Sequence, residues 1–135
     1  MIRTILGILL GIVVTLVLIT VCEAAGHYLW PPPGPGDVDF HNLDEARRAL
    51  HVGRIPAGAM AAVVVGWVVG AFGGGWVAAR VGRRRVGAYV VGGLVILASL
   101  AMLLHLPHPV WMWVTALAGL PLATCLAARL GTPKG

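Results

Sequence analysis

Three stretches of the chain contain no Asp, Glu, Lys or Arg: residues 4–22, 55–79 and 86–128, which are 19, 25 and 43 residues long. Together they take up 87 of the 135 residues. Only 11% of the chain is charged and 59% is hydrophobic, whereas soluble domains carry about a quarter charged residues. A soluble globular domain, a disordered tail and a secreted disulfide scaffold are therefore excluded. The chain reads as an integral membrane protein.

A helix crosses the hydrocarbon with about 20 apolar residues at about 1.5 Å each. The first two stretches fit one crossing each, and the third fits two. Its midpoint reads His105-Leu106-Pro107-His108-Pro109, where the prolines break a helix. The expected fold is all-α, a single membrane domain over residues 1–135. Its four spans fall near 5–28, 57–79, 86–105 and 110–128, with an outer loop over 31–56. Helices are expected because lipid offers backbone groups no partners, and no stretch alternates as a barrel strand would.

Charge orients the spans. Arg3, Arg80, Arg83, Arg84, Arg85, Arg129 and Lys134 share one side, and Arg47, Arg48 and Arg54 lie on the other with all five acids. Seven basic residues against three place both termini in the cytoplasm. Trp30, Trp111 and Trp113 then form an aromatic belt at the outer interface. The net charge of +5 is a topology signal, with Arg80, Arg83, Arg84 and Arg85 as a basic cluster facing anionic lipid. Nucleic acid is not an expected partner.

The first span is longer than the apolar core of a signal peptide, about 7–15 residues. Ala24-Ala25-Gly26 offers a small-x-small site, but the segment is expected to remain as a span. Cys22 and Cys125 fall near opposite faces of the membrane, too far apart for a disulfide, and are expected to serve in packing.

Ala78-Ala79-Arg80-Val81-Gly82 and Ala127-Ala128-Arg129-Leu130-Gly131 end spans two and four. With histidines ending spans one and three, they suggest two copies of one hairpin, although such endings are common in chains rich in Ala and Arg. In the outer loop, Pro31-Pro32-Pro33-Gly34-Pro35-Gly36 is expected to be extended. Asn42 reads as an N-cap with Glu45 three residues on. Leu43, Ala46, Ala49 and Leu50 form an apolar stripe, and Asp44 can pair with Arg48. A short amphipathic helix covering the span ends is expected.

The strongest pattern is one of packing. Gly66, Gly70, Gly74 and Ala78 recur every four residues; Gly7 with Gly11, and Ala88 with Gly92, repeat the spacing. Small residues let helix backbones approach closely in lipid. The spacing leaves open whether the contact lies within one chain, between copies or with another protein. Gly73-Gly74-Gly75 exceeds what one face needs. Pro121 is expected to kink span four.

A second pattern gathers on the outer side: Glu23 and His27 four apart, His105 and His108 in the other outer turn, and Asp37, Asp39, His41 and His51 in the loop. Such groups can bind Zn²⁺ or Cu²⁺ or relay protons. They equally make an interfacial Glu–His pair and histidines capping helix ends, and no close metal-ligand spacing is present. No phosphate loop, nucleotide fingerprint, nucleophile elbow or Cys-x-x-Cys occurs, so neither enzyme activity nor a cofactor is expected. Ser99 with His105 is the only nucleophile and base near one depth.

The runs Gly26-His27-Tyr28-Leu29-Trp30-Pro31-Pro32-Pro33, Ile55-Pro56-Ala57-Gly58-Ala59, Gly73-Gly74-Gly75-Trp76-Val77-Ala78-Ala79-Arg80 and Pro107-His108-Pro109-Val110-Trp111-Met112 resemble a group of small, uncharacterised four-span bacterial inner-membrane proteins. The resemblance implies a bacterial inner membrane and brings no activity or site residue with it. The leading expectation is a non-enzymatic, self-associating or accessory subunit packed through the glycine face of span two. Its partners are then the bilayer and either further copies or a larger membrane complex. A small oligomeric transporter or channel with Glu23, His27, His105 and His108 at its outer mouth, and a metal-binding protein using that cluster, are the alternatives.

Overall fold

A computed structural model describes residues 1–31 and 40–134. Five α-helices follow one another: α1 (Ile2–Leu29), α2 (Glu45–Gly53), α3 (Ala57–Gly82), α4 (Arg85–His105) and α5 (Val110–Gly131). A single 3₁₀ turn, Phe40–Asn42, precedes α2. α1, α3, α4 and α5 are each long and apolar enough to cross a membrane. Each of the four runs one to three residues past its expected bounds at one end or both.

The breaks have local causes. α1 stops before Trp30-Pro31, because proline disfavours helix in the residue preceding it. α4 stops at His105, two residues before Pro107. α5 starts directly after Pro109 and runs unbroken through Pro121. That proline withholds the amide that would bond the Leu117 carbonyl. α3 and α4 are joined by Arg83 and Arg84 alone, and Arg83 takes the left-handed conformation at φ 54°.

α3 is the centre of the bundle, with α1, α4 and α5 all packed on it. The three neighbours explain the Gly73-Gly74-Gly75 run. A Cβ on Gly74 would strike Thr15 and the Gly11 carbonyl on α1. One on Gly75 would meet Ala127 of α5 at 3.1 Å and Ala88 of α4 at 3.6 Å. Two core clusters divide the bundle by side-chain size. Near α2, Met60, Trp67, Val95, Leu103, Met112 and Leu120 fill the interior. At the far end, Ala79, Ala88, Ala127 and Ala128 do so. Small residues draw the helices together at the α3–α4 turn, and large ones hold them apart near α2. Leu, Val and Ile are absent from the buried residues of α1, which are Gly7, Gly11, Thr15 and Gly26.

The two similar endings serve different neighbours. A Cβ on Gly82 would meet Thr4 of α1, its hairpin partner, whereas one on Gly131 would meet Trp76 and Ala79 of α3. The second hairpin therefore does not repeat the packing of the first.

α2 differs from expectation in three details. Its N-cap is Asp44, whose Oδ1 accepts from the Arg47 amide at 2.9 Å, while Asn42 sits in the 3₁₀ turn. With Asp44 on the cap, Arg48 Nε donates to the Leu43 carbonyl at 2.9 Å in place of the expected pairing. The expected apolar stripe is not what docks the helix: Leu50 is 65% exposed, and Val52, at 3%, enters the core. The short span between caps sets this register, since Ile55-Pro56 must lead straight into α3. Asp44→Ala removes the cap and is expected to cost about 1 kcal/mol of local helix stability. Amide exchange should then rise in Glu45–Gly53 and stay unchanged in the four long helices.

Candidate functional site

The chemistry-bearing residues collect at the α2 end of the bundle. His27 lies on the last turn of α1, His105 on the last turn of α4, and His108 in the link to α5. Each imidazole is held by its Nδ1: His27 on the Glu23 carbonyl, His105 on the Ala101 carbonyl and His108 on the Leu106 carbonyl, all at 2.9 Å. A carbonyl only accepts, so Nδ1 carries the proton in each ring. The Glu23 and Ala101 carbonyls lie one turn back on the same helix as the imidazole that each holds, and the Leu106 carbonyl lies in the link two residues before His108. Glu23 and His27 therefore interact through the Glu23 backbone, and the half-buried Glu23 carboxylate stays clear of that bond.

His27 and His108 line one cavity of about 210 Å³, closed by Val52 and Ile55 below α2, Met60 of α3, and Met102 of α4. His105 is exposed outside it. His51 lies apart, in a depression on the open face of α2 with Leu43, Arg47, Leu50 and Arg54. Asp37 and Asp39 fall outside the described residues. Among the described residues, no three His, Cys, Asp or Glu side chains are grouped to hold a metal ion. Cys22 and Cys125 are free thiols, the first half-buried and the second exposed.

The glycine face of α3 meets α1. A Cβ on Gly66 would touch Cys22 at 3.0 Å, and one on Gly70 would touch Ile19 at 2.9 Å. From the other side, a Cβ on Gly7 would lie 2.7 Å from the Ala78 carbonyl, and one on Gly11 would strike the Gly74 carbonyl. Thr15 Oγ1 donates to the Gly70 carbonyl at 3.0 Å, a buried bond across this crossing. Gly58 is matched to Trp30 in the same way, since a Cβ there would run into the indole ring.

Polar groups inside the spans are satisfied locally. Ser99 donates to the Ile96 carbonyl, Thr124 to Leu120 and Thr115 to Trp111. The Ser99 hydroxyl is thus tied one turn back along its own helix, and His105 is exposed a turn and a half further on. Arg80, Arg83, Arg84 and Arg85 are all exposed at the α3–α4 turn, the end opposite α2.

One feature escapes a reading of the sequence. α1 and α4 part towards α2, leaving a groove of about 300 Å³ lined almost wholly by apolar atoms, with Thr15, Trp67 and Ser99 at its floor. Isolated hydroxyls in apolar spans are a faint signal of such a place. Which helices flank them is a matter of packing that spacing does not carry.

Set against family models, curated proteins and solved structures, the chain finds no match.

Proposed function

We propose that the chain is a non-enzymatic protein of a bacterial inner membrane, with both termini cytoplasmic, acting as an accessory subunit in a larger membrane complex. The observation that carries this reading is how the small residues are used. Gly74 and Ala78 meet Gly11 and Gly7 of α1, and Gly66 and Gly70 meet Cys22, Ile19 and Thr15 of the same helix, so the glycine face is used inside one chain. The bundle thus closes on itself, and a partner helix would meet the flanks of the bundle. The span hydroxyls bond within the chain, which favours a packing role over a polar conduction path. The cluster Arg80, Arg83, Arg84 and Arg85 suits the anionic cytoplasmic leaflet.

Gentle extraction from the native membrane followed by native mass spectrometry tests this reading. A distinct, stoichiometric larger partner is the expected result. A bare monomer or a pure homo-oligomer overturns it.

A second reading, an oligomeric transporter or channel, is favoured by the shared cavity of His27 and His108. It predicts proton or ion flux in liposomes that falls in Glu23→Gln. Flux absent between about pH 5 and 8, where histidine titrates, eliminates it. The metal reading gains no support from the described residues.

A further inference from the structure

The chain has four methionines, and all but Met1 line the cavity of about 210 Å³ beneath α2. Met60 comes from α3, Met102 from α4 and Met112 from α5. His27 of α1 and His108 of the link into α5 line it with them. Methionine commonly fills irregular gaps in cores. Here three of them, from three helices, border a cavity together with two imidazoles.

A thioether sulfur is a soft donor that carries no charge. Soft sulfur ligands select Cu(I), and imidazole also suits copper. The two imidazoles are already set for such a role. Nδ1–H of each ring is held on a backbone carbonyl at 2.9 Å, which fixes the tautomer and leaves Nε2 as the lone-pair donor. Metal-binding histidines commonly have their far ring nitrogen anchored in this way. His105 has the same anchor but does not line the cavity.

Charge decides which ion fits. No carboxylate, Lys or Arg lines the cavity among the described residues. Every side-chain donor is neutral, so a bound ion keeps its full charge among largely apolar neighbours. The cost of burying an ion rises with the square of its charge, which favours a monovalent ion over a divalent one. Ca²⁺ and Mg²⁺ require oxygen ligands, and Zn²⁺ takes imidazole, thiolate and carboxylate.

We propose that this cavity binds a single Cu(I) ion, held by the thioether sulfurs of Met60, Met102 and Met112 and by Nε2 of His108, the less exposed of the two imidazoles. His27, exposed at the rim, is where the ion enters. The site differs from the Zn²⁺ or Cu²⁺ cluster expected of Glu23, His27, His105 and His108, because neither Glu23 nor His105 lines the cavity. It is also independent of the subunit reading, since a chain without a partner can bind copper and a chain with one need not.

In the test, the full chain, purified without a polyhistidine tag, is titrated with Cu(I) in detergent micelles under anaerobic ascorbate, against a colorimetric Cu(I) chelator. Cys22→Ala and Cys125→Ala are present throughout, because free thiols bind the same ion. The chain should retain a single Cu(I), and X-ray absorption at the copper edge should show sulfur scatterers as well as nitrogen. Met60→Leu combined with Met112→Leu preserves core volume and should weaken binding at least about tenfold. Met102→Leu, at a position 42% exposed, should weaken it likewise and reads the site even if the double variant fails to fold. His108→Ala should weaken binding too, whereas His105→Ala should leave it unchanged. Complete loss of the ion to the chelator, a copper spectrum without sulfur, or unchanged affinity in the methionine variants overturns the proposal. Zn²⁺ bound as tightly as Cu(I) overturns it as well.

Discussion

Gly74→Ala is expected to weaken the α1–α3 pair by about 3 kcal/mol, the upper end of what overpacking costs. The added Cβ would strike Thr15 Oγ1 and the Gly11 carbonyl. A hydroxyl can rotate away, but a helix carbonyl moves only with its helix. α1 must then shift outward, and the Thr15–Gly70 bond lengthens with it. α1 has no fully buried large apolar side chain to compensate, as its buried residues are Gly and Thr alone and Ile19 is only partly buried against the core. Gly70→Ala should cost less, about 1 kcal/mol, because its Cβ would lie 2.9 Å from Ile19 Cγ1 and 3.3 Å from the Thr15 carbonyl, a shallower overlap than at Gly74. Gly93→Ala should be neutral or mildly stabilising, since nothing lies within 4 Å and alanine is the better helix former. Reversible unfolding in mixed micelles measures the three. Alkylation of Cys22, packed against Gly66 on the same crossing, should accelerate in Gly74→Ala only. Equal stability of the Gly74 and Gly93 variants would remove the basis for this crossing.

The order of these costs shows where sequence spacing stops being informative. The four spans were legible because lipid forces long uncharged runs into helices, and Pro107 and Pro109 divide the third run. The stripe of Gly66, Gly70, Gly74 and Ala78 was legible as a face, but not as a face for α1 in the same chain. That choice depends on α3 standing in the centre, which only the packing of α4 and α5 on Gly75 reveals. Short-range signals misled at α2. Asn42 and Asp44 are both good caps, and the connection Ile55-Pro56 to α3 favours the later start. The same constraint turns Val52 inward and leaves Leu50 out. At the candidate site, Glu23 and His27 were legible as neighbours on one helix. Their bond through the Glu23 carbonyl was not, because spacing of four puts two side chains on one face without saying whether the imidazole turns to the carboxylate or to the backbone. The groove between α1 and α4 was beyond reach, being the space left where Trp67 and Val95 hold two helices apart.

Ala78→Leu is expected to be the most damaging single change in the spans, because Ala78 meets two helices at once. It is fully buried. Its Cβ lies 2.9 Å from where a Cβ on Gly11 of α1 would be, and 3.2 Å from one on Gly87 of α4. Leucine adds three carbons at a point where both neighbours are already glycine. No smaller residue exists to make room, so neither helix can be relieved by a second substitution. Overpacking of this kind costs about 3 kcal/mol or more, and it separates α1 and α4 from α3 together. Ala78→Gly should be far milder, losing about 1 kcal/mol of helix propensity while keeping the crossing closed. Ala118→Leu, on an exposed face of α5, should be tolerated in full. The decisive quantity is the asymmetry between the two Ala78 variants in micellar unfolding. If leucine proves no worse than glycine, the three helices do not meet at Ala78, and the closed bundle on which the subunit reading depends falls with that contact.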